Sequence, residues 1–336
     1  MSTFAVVHQL DRSVTFHDLL SSEPLATVEL ASISGQPHEA RFDAERGVIY
    51  VSHPYRDGWY AGNSGRTSTI SVIDTASREL VDTIDLGPEV GPHDLWVDHH
   101  RDLLWVSVER SDHADGGLAV VDPNTRRVID RVGVEAYGTH WFTATPDGAT
   151  LYTANKETPF VAVVDARERR FVGRVDVPGS EGICATPDGR HVLVAAPAQL
   201  PARARAPEAP PGLRVIDTAS NTVVRTLTTE HPLAGVHVTS AGIVLAAHTR
   251  RDERRDGNPR TAEGTLLFYA AETFEQLAEI PTGAMGLTIT SSPDGALAYV
   301  ANMASDSVSV VDVEQRSIRH TVKGIGGAHG VVHLSD

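Results

Sequence analysis

The feature that most constrains how this chain can fold is an internal repeat. A β-branched run ending in a hydrophobic residue, Asp and a small turn recurs as SVIDTAS (71–77), AVVDPNT (119–125), AVVDARE (162–168), RVIDTAS (214–220) and SVVDVEQ (309–315). Weaker copies are TFHDLLS (15–21) and LFYAAET (267–273). From Asp18 to Asp312 the mean period is about 49 residues, which is the size of one propeller blade built of short strands. Each period also has a fixed front half, as in THWFTATPDGATLYTAN (139–155), SEGICATPDGRHVLVAA (180–196) and GLTITSSPDGALAYVAN (286–302). Pro-Asp-Gly between alternating runs makes a hairpin, because Pro fixes φ, Asp bonds the local backbone and Gly accepts a positive φ. The unit therefore reads strand a, tight turn, strand b, variable loop, strand c, Asp-led turn, strand d. Asp74, Asp122, Asp165, Asp217 and Asp312 are turn caps on this reading, and Asp147, Asp188 and Asp294 belong to the hairpins.

Six complete units follow one another, and a seventh is split. Residues 4–30 supply only strands b, c and d, while 327–334 (GAHGVVHL) supplies an a strand. The expected fold is all-β: a seven-bladed β-propeller of four-stranded blades, one domain over 1–336, closed by pairing the C-terminal strand with the N-terminal blade. Such closure leaves no open sheet edge. Tyr50-Val51-Ser52, Tyr152-Thr153-Ala154-Asn155 and Tyr299-Val300-Ala301-Asn302, with the VID turns, resemble the YVTN repeat of seven-bladed bacterial propellers. That resemblance implies the fold and leaves function open, since lactonases, lyases, cofactor-bearing dehydrogenases, metal oxidases and binding scaffolds share it.

Superposing the blades on the first residue of strand b exposes a shared position at the start of strand a. Twelve residues before Tyr50, Trp105, Tyr152, Leu193 and Tyr299 stand His38, His93, His140, Glu181 and Leu287. The shorter fifth blade places Ala234 there and turns His237 to the other side of its strand, and GAHGVV places His329 in the split blade. Strand a lines a propeller's channel, so four adjacent blades aim an imidazole at its mouth and a fifth aims a carboxylate. Convergent neutral imidazoles suit Fe, Cu, Ni or Zn. His38, His93, His140 and His329 are the candidate ligands of one transition metal ion, with Fe(II) or Cu preferred and Zn, Ni or Mn admissible. Glu181 is a candidate ligand, base or orienter, and His53 and His248, at the ends of b strands on the same face, are candidate proton-transfer groups; His8 occupies the matching segment of the split blade. His99, His100, His191 and His320 fall in turns or outer strands and are read as solvated. Cys184, the single cysteine, excludes an intramolecular disulfide and any multi-thiolate site, and its position predicts packing between sheets.

Long b-to-c loops gather over the same face. Residues 53–69 offer Tyr55, Trp59 and Tyr60 as a substrate lid, 109–117 is acidic, 197–211 is rich in Pro, Ala and Arg, and 249–263 carries five arginines. Loops longer than the scaffold needs are usually functional or mobile. There is no GxSxG, GxxxxGK[ST], HExxH or CxxCH motif, so the commonest hydrolase, nucleotide, zinc-protease and covalent-haem sites are not expected. With 29 basic against 44 acidic residues, the net charge of −15 opposes a nucleic-acid partner. MSTFAVVHQL lacks the basic and apolar regions of a secretory signal, and no run approaches the ~18 apolar residues of a membrane span. These features predict a cytoplasmic enzyme acting on a small molecule at the channel mouth, with no membrane or nucleic-acid partner. Oxidation or oxygenation at Fe(II) or Cu is the leading chemistry. Alternatives are a metal-assisted or His/Glu acid–base lyase, isomerase or lactonase, and a non-catalytic interaction scaffold.

Overall fold

The computed structural model describes residues 3–60, 62–111, 115–197, 209–250 and 262–334. Seven four-stranded antiparallel sheets each follow the order a-b-c-d. Blade I comprises Ala40–Asp43, Val48–Tyr55, Arg66–Asp74 and Glu79–Asp85. The a strands of blades II to VI are Glu89–Asp98, Thr139–Ala144, Ile183–Ala185, Leu233–Val238 and Gly286–Ser291. Blade VII joins Ala328–Leu334 to Thr3–His8, Ser13–Asp18 and Pro24–Glu29. The terminal strands pair antiparallel, with Thr3 opposite Leu334 and Ala5 opposite Val332. Neighbouring a strands touch in a closed ring.

Alternation along the b and c strands creates the force that holds this ring together. Each blade presents one apolar face to each neighbour, so Tyr50, Val72 and Ile84 of blade I bury against Leu95, Val106 and Ala119 of blade II, and Trp105 and Val120 against Phe142, Leu151 and Ala162 one blade on. Trp105 is fully buried; truncating such a residue to Ala costs about 3–5 kcal/mol. The Asp-led turns are local devices as expected: Asp74 accepts from the backbone N–H of Ala76 and Ser77 at 3.1 and 2.7 Å, and Asp217 from Ser220 at 2.8 Å.

A bulge near the start of strand a decides what faces the channel. In blade I the single residue Ser52 opposes two residues: His38 N–H donates to its carbonyl and its own N–H donates to Glu39 carbonyl, both at 2.9 Å. Ala195 opposes Glu181 and Gly182 in the same way, at 2.9 and 2.8 Å. The ladders shift between Pro92 and Leu95, Thr139 and Phe142, Leu233 and Val236, and Gly286 and Ile289. A bulge inserts one extra residue against one partner. Beyond it the in-and-out alternation is therefore displaced by one. Glu39, Asp94, Trp141 and Thr288 consequently form a second tier inside the channel, and Arg41, Trp96, Thr143, Cys184, His237 and Thr290 a third, all lining one cavity of about 230 Å³.

Two expectations are corrected by this phase shift. His237 does not face away from the channel but lines it, its Nε2 2.9 Å from Ser291 Oγ. Cys184 also lines the channel, with only part of its surface against the core between blades IV and V; burial pushes its thiol up to about 11, which keeps it protonated and unreactive at neutral pH.

Candidate metal centre

The start of strand a brings four histidines together as a chain of rings. Centroids are 3.5 Å apart for His329 and His38, 4.4 Å for His38 and His93, and 3.1 Å for His93 and His140. The backbone at these positions is tied across blades. Ser52 Oγ donates to His93 carbonyl at 2.6 Å, Ser107 Oγ donates to His140 carbonyl, and Gly330 N–H donates to His38 carbonyl at 2.8 Å. A Cβ at Gly330 would stand 2.7 Å from Ala40 N and 2.8 Å from His38 O, so only glycine lets blade VII approach this closely.

All four rings are between 0 and 6% exposed. His38, His93 and His140 are held well below the usual imidazole range, first by burial and then by the charges of neighbouring imidazoles and of Lys156. They are therefore neutral, the form that binds metal ions. Nδ1 of His38 and His140 and both nitrogens of His93 are buried without a hydrogen-bond partner. Leaving such a group unsatisfied costs about 1–3 kcal/mol each, so a cluster of them marks a place built for something else.

Glu39 completes the site. It is 3% exposed and lies beside the imidazoles, its Oε1 3.0 Å from His329 Nδ1 and 3.9 Å from His38 Nδ1. Trp141 Nε1 donates to Oε1 at 3.1 Å, and Thr288 Oγ1 lies 3.0 and 3.1 Å from the two oxygens. Ligand atoms of His38, Glu39 and His329 all fall within 4.8 Å of one another. Two ligands bound at 2.0–2.2 Å to one ion stand at most roughly 4.4 Å apart, so this buried His/His/Glu cluster is able to coordinate a metal ion with little movement.

The remaining candidates are distributed around it. Glu181 sits at its expected register but is engaged by Lys156, Nζ to Oε1 2.6 Å. Lys156 lies 5.1 Å from the Tyr60 ring and 5.7 Å from the Trp141 ring, and it shifts the histidines through its charge. His53 is fully buried with both ring nitrogens committed, Nδ1 to Gly35 carbonyl at 3.1 Å and Nε2 to Ser71 Oγ at 2.8 Å; burial pushes it down to about 4. His248 bonds Thr265 at 2.8 Å and packs against His231 rather than the four-ring chain. His8 pairs with Asp11 at 3.3 Å.

Of the three expected lid residues, Tyr60 lies 6.0 Å from His140 and donates to Glu157 at 2.7 Å. Trp59 packs on the cluster that includes Trp141, Leu287 and Met303. Both belong to a hairpin of Gly58–Trp59 with Gly62–Asn63, tied down by Gln9 Nε2 to Gly58 carbonyl at 3.1 Å and by Gly58 N–H to Gln36 at 3.0 Å. Tyr55 is instead a buried strand residue donating to Glu109, whose other oxygen accepts from Arg66 Nε at 2.5 Å. Most of loops 197–211 and 249–263, and residues 112–114 of the acidic loop, lie outside the described residues.

Glu39, Lys156, Trp141 and Thr288 are the site residues that sequence reasoning missed. The strand alternation assigns one channel residue per blade, whereas the bulge supplies two. The neighbours of the register histidines carried the signal, since Glu39, Asp94 and Trp141 directly follow His38, His93 and His140.

No protein-family profile matches the chain, and no curated protein sequence does. Solved structures do. A Kuenenia stuttgartiensis hydrazine synthase structure is 18% identical with a TM-score of 0.69, covering 90% of each chain. A functionally unknown protein from Desulfotomaculum acetoxidans DSM 771 is 11% identical with a TM-score of 0.75, covering 99% of each. The dihydro-heme d1 dehydrogenase NirN in complex with DHE is 16% identical with a TM-score of 0.62, covering 96% of this chain and 63% of that one. At these identities the likeness shows the seven-bladed propeller fold alone, with no narrower family.

Proposed function

We propose that the chain is a metal-dependent oxidoreductase acting on a small molecule, with one transition metal ion held by His38, His329 and Glu39 and with His93 and His140 completing the ring of ligands. The observation that carries this reading is the cluster of buried imidazoles, several with unpartnered ring nitrogens, around a buried carboxylate. Two imidazoles and one carboxylate are the donor set of non-haem Fe(II) sites, and His93 and His140 would take two further positions of an octahedral ion and leave one open. That favours iron, with copper next, and the ion would supply redox chemistry or activate a bound small molecule. Trp141 and Thr288 hold the Glu39 carboxylate in place, as outer partners of metal ligands commonly do. The hairpin carrying Trp59 and Tyr60 serves as the cover that keeps water from the mouth.

A second reading, acid–base lyase, isomerase or lactonase chemistry, draws support from the buried Lys156–Glu181 pair close to His140. A non-catalytic scaffold gains no support from unsatisfied buried imidazoles. The repeat turns favour membership of the YVTN propellers. No helix among the described residues is long and apolar enough to cross a membrane.

Elemental analysis of untagged protein tests the proposal. The expected result is about one Fe or Cu per chain, lost in a His38→Ala/His329→Ala double variant that keeps the propeller's circular dichroism. Folded wild-type protein that binds no added Fe, Cu, Zn, Ni or Mn refutes it. Metal-free protein whose turnover depends on Glu181 and Lys156 establishes the second reading instead.

A further inference from the structure

We propose that the half of the channel facing away from the mouth is a binding site for a small monocarboxylate, held by Arg41 with its other end directed at Glu39. The inference deepens the metal reading by naming a substrate class and the face from which it arrives, and it rests on that reading only for the ligand's orientation.

Three observations carry it. First, the route through the mouth is closed: the rings are almost wholly buried, and Tyr60, Trp59 and the Lys156–Glu181 pair lie over that side. Second, the cavity of about 230 Å³ has Glu39, Trp141 and Thr288 at one end and Arg41 and His237 farther along. It continues into a wider funnel of about 490 Å³ that shares Arg41, Thr143, His237 and Thr290. The inner end of this passage is thus the carboxylate of the metal cluster itself. Third, Arg41 is half-used: its Nε donates to Leu95 carbonyl at 2.7 Å, which fixes the side chain. Its terminal nitrogens make no hydrogen bond with a described residue, although Nη2 is ion-paired with Asp94 Oδ1 at 3.6 Å, so most of its terminal N–H donors remain unused. A pinned guanidinium with unused N–H donors facing a cavity is suited to a planar carboxylate.

Charge and size narrow the class. Glu39 and Asp94 line the same cavity, in which Arg41 is the single cation among the described residues, so a phosphate dianion meets more repulsion there than a monocarboxylate does. Arg41 and Glu39 are two residues apart on one side of an extended chain, about 7 Å along it. A ligand that puts its carboxylate on Arg41 therefore brings carbons a few bonds away beside Glu39. The cavity is smaller than the ~300 Å³ at which drug-sized sites begin. Thr290 and the neutral His237, pushed down to about 4 by burial, supply polar walls that add no charge.

The test titrates metal-free protein with ¹³C-labelled propanoate and follows binding by NMR, with inorganic phosphate as comparison. Saturable propanoate binding is expected, weakened about tenfold or more in Arg41→Gln, and abolished in Thr290→Leu, which narrows the cavity without touching a charge. Propanoate that fails to bind, that binds Arg41→Gln and Thr290→Leu as tightly as wild type, or that binds more weakly than phosphate overturns the proposal. Should Arg41→Gln not fold, the Thr290→Leu titration decides. In Mn(II)-loaded protein the methyl carbon is expected to relax faster than the carboxylate carbon; the reverse places the carboxylate on the metal and overturns the assignment to Arg41. Protein that takes up no Mn(II) would argue against the metal reading, while the metal-free titration still decides this one.

Discussion

Glu39→Gln separates a metal ligand from a structural hydrogen-bond hub. The carboxylate is buried and accepts from Trp141 and Thr288. Gln keeps the shape, one acceptor oxygen for Trp141, and a group that can bond the Thr288 hydroxyl. In the metal-free protein the change weakens charge-assisted bonds by about 1 kcal/mol but removes a buried carboxylate whose desolvation works the other way, so the net effect is near zero. Unfolding entropy of about 2.1 cal/mol/K per residue over 336 residues makes each kcal/mol worth roughly 1.4 °C in Tm. With Fe(II) at about a hundred times Kd, wild-type protein gains about 2.7 kcal/mol, hence about 4 °C. If losing the anionic ligand weakens binding about a hundredfold, the gain falls to about 0.4 kcal/mol, under 1 °C. Anaerobic thermal unfolding with and without Fe(II), alongside metal content, reads both quantities. Glu39→Gln protein that unfolds several degrees lower without metal yet keeps the full metal-induced rise would refute the ligand assignment.

Three further outcomes follow from the same geometry. His93, with neither ring nitrogen partnered, is held for function at a cost in stability, so His93→Leu is expected to raise the metal-free Tm by a few degrees, from about 1–3 kcal/mol, while reducing metal content; a lower Tm counts against this. His53 is neutral when folded, with its pKa at about 4 against 6.5 when exposed. The unfolded chain therefore binds more protons across that window: its stabilising contribution is complete above pH 6.5 and is lost as pH falls through about 4, amounting to about 3 kcal/mol. Denaturant unfolding between pH 4 and 7 should show a shallower slope in His53→Gln. Gly138 has φ +69°, and a Cβ there would strike the Tyr60 hydroxyl. Gly138→Ala is expected to cost about 1 kcal/mol of strain and to lift the Trp59–Tyr60 hairpin, read as faster limited proteolysis at Arg56; unchanged cleavage would show the hairpin is not seated on Gly138.

What could be read without coordinates, and what could not, divides at the strand-a bulge. Blade number, closure by the split blade and the shared register of His38, His93, His140 and His329 are consequences of repetition, because identical spacing from a recognisable strand means one structural position. The partners of those histidines are not. Alternation along an unbroken strand assigns Glu39 to the wall between blades, and it sends His237 and Cys184 away from the channel. Two consecutive residues opposite Ser52 reverse that parity for everything downstream. The same bulge turns a ring of bare imidazoles into a His/His/Glu cluster, and it puts Arg41 on the channel side two residues later. Lys156 was hidden for a different reason: it sits in a b-to-c turn of blade III, where no periodicity fixes direction. Repetition therefore locates a site in such a fold, while its charge, and so the ion and substrate it suits, is set by the one irregularity that every blade repeats.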